Sequence, residues 1–324
     1  MRKLIINYDD EDRLFYPIFF PYAWKKTIAA INSGQRFVHY TSAETAANIC
    51  RNKEIWLRKS SLMNDFMEIE HGLNCLNYAL KNNKDNFLRI INSFKEGLSD
   101  EILEWYNGWL SHFRNDTYIF CLSEHRKSED KMGRLSMWRA YGGNCGVAIV
   151  INPRVILTPS DALNAYTSPV AYYNERDTAR ELRNILNNIE INRAAIEAHG
   201  GHNCVSRLMK NAFRMATLCM KHPGFKEEAE WRVIYSPKFA LSNVIKRGIR
   251  SISGMPQPVY LLPLSNIPSD GLTGLEIPEL VDRVIVGPNE HPEVVAEAMV
   301  DLLKDASVER AGSRVIRSEI PLRR

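Results

Sequence analysis

No Walker A loop, no GxGxxG turn, no HExxH helix and no GxSxG elbow occurs in the 324 residues. The chain therefore lacks the phosphate-cradling loops of P-loop and Rossmann proteins, the zincin helix and the hydrolase nucleophile elbow. None of the six cysteines (Cys50, Cys75, Cys121, Cys145, Cys204, Cys219) forms a CxxC pair, and several sit among apolar residues. Thiols scattered in this way fit a reducing compartment better than a disulfide framework. No apolar run approaches the ~20 residues of a membrane span. The opening MRKLIINYDDEDRLFY turns acidic after six residues, unlike a signal peptide. Basic residues are dispersed and the net charge is only +4, which permits nucleic-acid contact without demanding it. His199-Gly-Gly-His202-Asn-Cys204 has ligand residue types but no second pair at zinc spacing, so no metal is expected. A soluble cytoplasmic protein with no membrane partner is expected.

What is present is an ordinary globular composition, 45% hydrophobic and 25% charged. Helical and strand patterns are mixed without regular βαβ alternation, which points to α+β. A short helix over 22–33 ends at Ser33-Gly34, and RFVHYTS alternates as a strand. Thr41 followed by Glu44 predicts a capping box and a helix from about Ser42 to Arg51. Residues 64–112 read as mostly helical, TYIFCLSE and CGVAIVIN as strands, and LSMWRAYGG as a helix stopped by glycines. Two helices follow before the stretch GFKEEAEWRVIY. VYLLPLSN reads as a strand weakened by Pro263, within a glycine- and proline-marked link over 253–278, and VDRVIVGP and the following helix close the pattern.

GFKEEAEWRVIY carries the sharpest chemical signal. Read as a strand, it puts Glu228 and Glu230 on one face, where like charges repel. The plain explanation is a solvated face offset by Arg232, worth little. The functional one is two carboxylates aimed at a single ligand, one for hydrogen bonding or charge stabilisation and one for proton transfer. His39 shares a strand face with Phe37 and Thr41; it is either a satisfied core histidine or a ligand-gripping group at a strand end. Asn64 and Asp65 are natural helix caps, and with Glu68 are alternatively carboxylate-type ligands. Trp138 and Tyr141 have core spacing, yet Tyr141 adjoins Gly142-Gly143, where backbone can approach a ligand closely.

Taken in order, the chain shows His39-Tyr40, then Asn64-Asp65 with Glu68, then Cys121 with Ser123. Met137-Trp138 with Tyr141 follow ahead of Gly146, then Lys221, Glu228 and Glu230 with Arg232, and finally IVGP at 285–288. This succession resembles a bacterial family of unknown function, DUF2971, over residues about 37–288. The layout looks like the ADP-ribosyltransferase class. The resemblance implies one α+β domain over 1–324 with a split β-sheet core. Helical insertions would fall at about 64–112 and 176–222, and a C-terminal strand and helix at 281–306. It further implies an NAD-consuming enzyme that transfers ADP-ribose to a protein or nucleic-acid acceptor, or to water, in the manner of bacterial toxins or anti-phage effectors. His39 would hold the NAD ribose or amide, Tyr141 or Tyr40 would stack on nicotinamide, and Ser123 would support the pocket. Thr41, Trp138 and Arg232 complete the implied cofactor-binding set, Arg232 as a counter-charge. Glu230 would bind the nicotinamide ribose and stabilise its cation, and Glu228 would assist the acceptor. The chain departs from that class in having Cys121-Leu122-Ser123 where a Ser-Thr-Ser triplet is usual. His39 and Tyr40, being adjacent, point to opposite strand faces. The alternatives are a metal-dependent nuclease or phosphodiesterase using Asp65, Glu68, Glu228 and Glu230, and a non-catalytic nucleotide-sensing or protein-binding module.

Overall fold

The computed structural model describes residues 10–62, 68–157, 162–252 and 254–321. Asn64 and Asp65 lie outside the described residues. The strands are β1 (Arg36–Ser42), β2 (Glu54–Lys59), β3 (Tyr118–His125), β4 (Gly146–Ile151), β5 (Ala165–Pro169) and β6 (Ala171–Tyr172). They continue with β7 (Met220–Lys221), β8 (Glu230–Tyr235), β9 (Lys246–Ile252), β10 (Met255–Pro263), β11 (Val281–Val286) and β12 (Val315–Arg317). Ten of them form one mixed sheet, and β6 and β7 pair separately in parallel. With many helices on its faces, the architecture is α+β. Among the described residues no helix is long and apolar enough to cross a membrane. None of the six cysteines is in a disulfide.

β3 organises the sheet. Along one edge it pairs with β8 from Tyr118↔Tyr235 to Ser123↔Glu230. Its other edge is divided. β1 takes the far end, with Val38 opposite Ser123, and β2 takes the near end, with Arg58 opposite Ile119. β1 carries β4, β11 and β12 with it, whereas β2 carries β10 and β9. The two wings separate over residues 120–122 of β3, and that gap opens the cleft described below.

Strand alternation sorts the side chains between two faces. Phe37, Leu57, Phe120, Leu122, Val147, Ile149 and Trp231 turn to one face, over which the helices Ala43–Asn52 and Pro292–Asp305 close with Ile49, Met299 and Leu303. On the opposite face the helices 68–82, 98–115, 175–191 and 201–218 cover Ile119 and Ile234. The two helical insertions thus merge into one layer, joined by the N-terminal helix Asp10–Phe19 through Phe15 and Phe19.

Local chemistry accounts for the boundaries and for two differences from the sequence expectation. The helix after β1 is capped by Ser42, whose Oγ accepts from Thr45 N–H at 3.2 Å; Thr41 stays in the strand. The 253–278 stretch is not loop throughout, because Met255–Pro263 is a full strand between β2 and β9, with loop and turn after it. Its prolines sit where a neighbour has run out. Pro256 and Pro258 precede the first β2 pair at Val259, and Pro263 follows the last β9 pair at Leu261. Their missing N–H groups therefore cost no ladder bond.

Trp138 is 1% exposed and forms the hub of a small core with Val38, Tyr40, Ala148, Val150 and Ile285. Its ring lies so close to Gly287 that an added Cβ would meet Trp138 Cε3 at 2.7 Å and Cζ3 at 2.8 Å. Gly287→Ala is expected to lower stability by about 1–3 kcal/mol through overpacking. Thermal unfolding checks this, and an unchanged midpoint would show that the ring can yield.

Candidate active site

The split in the sheet opens a cleft of about 380 Å³. His39, Tyr40 and Thr41 of β1, Ser123 of β3, Tyr141 of the helix Leu135–Tyr141, and Glu228 and Glu230 all line it. Seven of the nine predicted site residues therefore share one cavity. The other two do not line it. Trp138 is a core residue behind the cleft, with its Nε1 donating to the Met132 carbonyl. Arg232 is 2% exposed and serves Glu230 from behind. Glu68 opens the helix Glu68–Asn82.

The two glutamates are not alternate residues of one strand. Glu228 ends the 3-10 turn Pro223–Glu228, Ala229 adopts a left-handed φ of 44°, and β8 begins only at Glu230. A non-glycine residue rarely adopts that conformation. Here Ala229 is held from both sides, its N–H donating to the Lys226 carbonyl and its carbonyl accepting from Glu124 N–H. The bend brings both carboxylates to a single cation. Lys221 Nζ lies 2.6 Å from Glu228 Oε2 and 3.2 Å from Glu230 Oε2, with its side chain 4% exposed. Arg232 adds two hydrogen bonds to Glu230, from Nε at 2.8 Å and Nη2 at 3.2 Å. The repulsion anticipated from sequence is thus resolved by two buried cations, not by a solvated face. The Tyr141 hydroxyl donates to Glu228 Oε1 at 2.8 Å, and the Tyr172 hydroxyl accepts from Glu230 N–H at 2.7 Å.

This arrangement drives the two carboxyl groups apart in acidity. Burial opposes ionisation of Glu230, but Arg232 and Lys221 outweigh it and hold its carboxyl well below the usual range. For Glu228 burial wins: it raises the carboxyl against the pull of Lys221, and the charge of Glu230 pushes the same way. The two carboxyl groups thus shift in opposite directions, Glu230 down and Glu228 up, the way unlike environments separate paired carboxyls.

His39 spans the split. Glu124 donates its N–H to Ala229, so by ladder alternation the backbone of Cys121 faces away from β8, into the gap where neither β1 nor β2 reaches. His39 Nδ1 bonds the Cys121 carbonyl at 2.9 Å, and its ring packs on Phe120. Facing a carbonyl, Nδ1 carries the proton and Nε2 is an acceptor. Burial pushes the imidazole down to about 4, against the Cys121 carbonyl and with help from the Arg58 charge. The folded value lies below the ordinary 6.5, so the stability His39 contributes is present above pH 6.5 and lost as pH falls from there to about 4. At pH 5 the loss amounts to about 2 kcal/mol. Urea unfolding at pH 7 and pH 5 should show wild type losing about that much more than His39→Gln; equal losses would mean His39 is not held neutral.

Tyr40 reaches the cleft but its hydroxyl is committed, accepting from Arg134 N–H at 2.8 Å. Arg134 also bonds Glu129 and the carbonyls of Glu124 and Glu227, which fixes the helix carrying Tyr141 to the loop carrying Glu228. Sequence reasoning assigned no role to Lys221, Arg134 or Tyr172. Lys221 appeared only as part of a motif order, and nothing in local spacing announces its two ion pairs.

Residues 137–233 match the model of a family described as a protein of unknown function, DUF2971. The match takes in Trp138, Tyr141, Lys221, Glu228, Glu230 and Arg232, whereas His39, Tyr40, Thr41 and Ser123 lie outside it. No curated protein and no solved structure matches the chain. The segment that builds the acidic wall of the cleft therefore bears the DUF2971 signature.

Proposed function

We propose that this chain is an ADP-ribosyltransferase-like enzyme that breaks the bond between nicotinamide and ribose in NAD and passes ADP-ribose to an acceptor. The observation that carries the proposal is the convergence of His39, Tyr141 and an acidity-split glutamate pair on one cleft at a sheet split. The C1′–N bond breaks with its electron pair going to nicotinamide, which leaves neutral, and the ribose becomes an oxocarbenium cation. Glu230, ionised at any neutral pH, stabilises that cation electrostatically. Neutral His39 offers Nε2 to a ribose hydroxyl or the amide N–H. Tyr141 stacks on the nicotinamide ring while its hydroxyl holds Glu228. The acceptor nucleophile bonds to C1′ and its proton passes to Glu228, whose carboxyl burial raises above its ordinary value, the direction that strengthens a base. The acceptor is a protein, a nucleic acid or water.

A metal-dependent hydrolase built on the same glutamates would require Lys221 and Arg232 to surrender the carboxylate oxygens they hold. Calorimetric titration of NAD, repeated with excess chelator, separates the two. Saturable NAD binding indifferent to chelator is expected; binding or turnover that appears only with added divalent cation would overturn the proposal.

A further inference from the structure

Arg58 stands at the opposite end of the cleft from the glutamates. It lies on β2 directly across from Ile119, and Glu230 lies directly across from Ser123. Facing residues of a ladder share a face, as do residues four apart on one strand. Arg58, Ile119, Ser123 and Glu230 therefore project from the same side of the sheet, and their rows are separated by four residues of β3, about 13 Å.

The guanidinium is under-partnered. Nη2 donates to the Leu62 carbonyl at 3.1 Å and lies 3.5 Å from Gln257 Oε1. Nε is buried without a hydrogen-bond partner. Among the described residues no carboxylate pairs with Arg58, in contrast to Arg36, Arg134, Arg232 and Arg250, each of which meets a Glu or Asp. Arg58 is half-buried with no counter-charge to offset its partial desolvation, and an orphaned buried donor calls for an explanation. Trp56, two residues earlier on the same strand, lines the cleft beside Arg58 with its Nε1 tied to Glu54. One end of the cleft thus offers a cation and an aromatic wall, and the other a carboxylate pair.

We infer that Arg58 is the anion anchor of this cleft and binds the diphosphate of a nucleoside diphosphate, leaving the attached ribose to reach Glu230. Its Nη1 retains N–H donors for a phosphate oxygen, the pairing guanidinium groups favour. The ~13 Å between the two rows suits a ribose joined to a diphosphate; an isolated phosphate would touch only one end. The assignment of the ribose to Glu230 rests on the NAD proposal above, whereas the anion site does not.

The test is calorimetry with ADP and with inorganic pyrophosphate on the full chain, comparing wild type, Arg58→Met and Arg58→Lys, alongside NAD turnover. Wild type should bind both probes. Arg58→Met should weaken ADP binding roughly 10–100-fold, the loss of one charge-assisted contact, and Arg58→Lys should fall between. Nicotinamide riboside, which lacks the diphosphate, should bind Arg58→Met and wild type alike. Wild type that binds neither probe, or Arg58→Met that binds ADP as wild type does, overturns the inference. Should Arg58→Met not fold, Arg58→Lys read by the same titration decides it, an unchanged ADP affinity again counting against. ADP anchored by Arg58 in a protein that never consumes NAD would sustain the anion site and defeat the enzyme proposal. Equal NAD turnover with and without Arg58 would do the reverse.

Discussion

Glu230→Gln is expected to slow nicotinamide release from NAD by roughly 100–1,000-fold, the range for loss of one preorganised electrostatic group at a developing charge. The fall should appear in kcat and in kcat/KM alike with NAD affinity little changed, because the carboxylate is asked to act on the cation and not on the ground state. The substitution is nearly isosteric, but it leaves Arg232 buried beside a neutral amide. Stability is therefore expected to drop as well, and circular dichroism must show the variant folded at the assay temperature. Equal turnover by a folded Glu230→Gln protein would remove Glu230 from the chemistry. Glu228→Gln should act differently, slowing transfer to the acceptor more than the release of nicotinamide.

Lys221→Met should have the largest effect on stability. Lys221 is the shared cation of Glu228 and Glu230 and is almost fully buried. Removing it leaves two carboxyl groups facing each other with Arg232 serving only one, a loss of about 3–5 kcal/mol. The pH dependence gives a second signature. Without Lys221 the Glu228 carboxyl rises further above its unfolded value, so the folded variant takes up a proton that the unfolded chain does not. Its stability therefore recovers as pH falls through that raised range toward the ordinary carboxylate value. Urea unfolding should show a smaller deficit against wild type at pH 5 than at pH 8. A deficit equal at both values would mean the carboxylates do not depend on the lysine.

Much of the scaffold could be read from residue pattern alone. CGVAIVIN is a fully buried strand because Val147, Ile149 and Ile151 face the helix-covered core on one side and Ala148 and Val150 the Trp138 core on the other. The helix after His39 and the helix before Gly142-Gly143 fall within a residue of expectation, since caps and glycines mark them. β9 is not legible in the sequence because KRGIRSI is an exposed edge strand whose alternation is charged, not apolar. β10 reads from sequence as a strand only from Val259 and weakened by Pro263, yet it starts at Met255, and its prolines prove harmless where neighbouring strands have ended. For the site, the glutamates were found for an incomplete reason: strand alternation suggested that they share a face, while a left-handed Ala229 and a buried lysine bring them together. Trp138 and Arg232 sit near the ligand motifs in sequence but behind the cleft in space. Arg58 carries no signal in sequence because EIWLRK looks like any amphipathic strand; its significance lies in what fails to pair with it.

The most direct test is to incubate the wild-type protein with NAD at neutral pH, with and without a bacterial lysate as the source of acceptors, and to follow free nicotinamide. Release of nicotinamide by wild type, unaffected by chelator and lost in Glu230→Gln, is the expected result. No release under either condition, together with no calorimetric binding of NAD, would contradict the account.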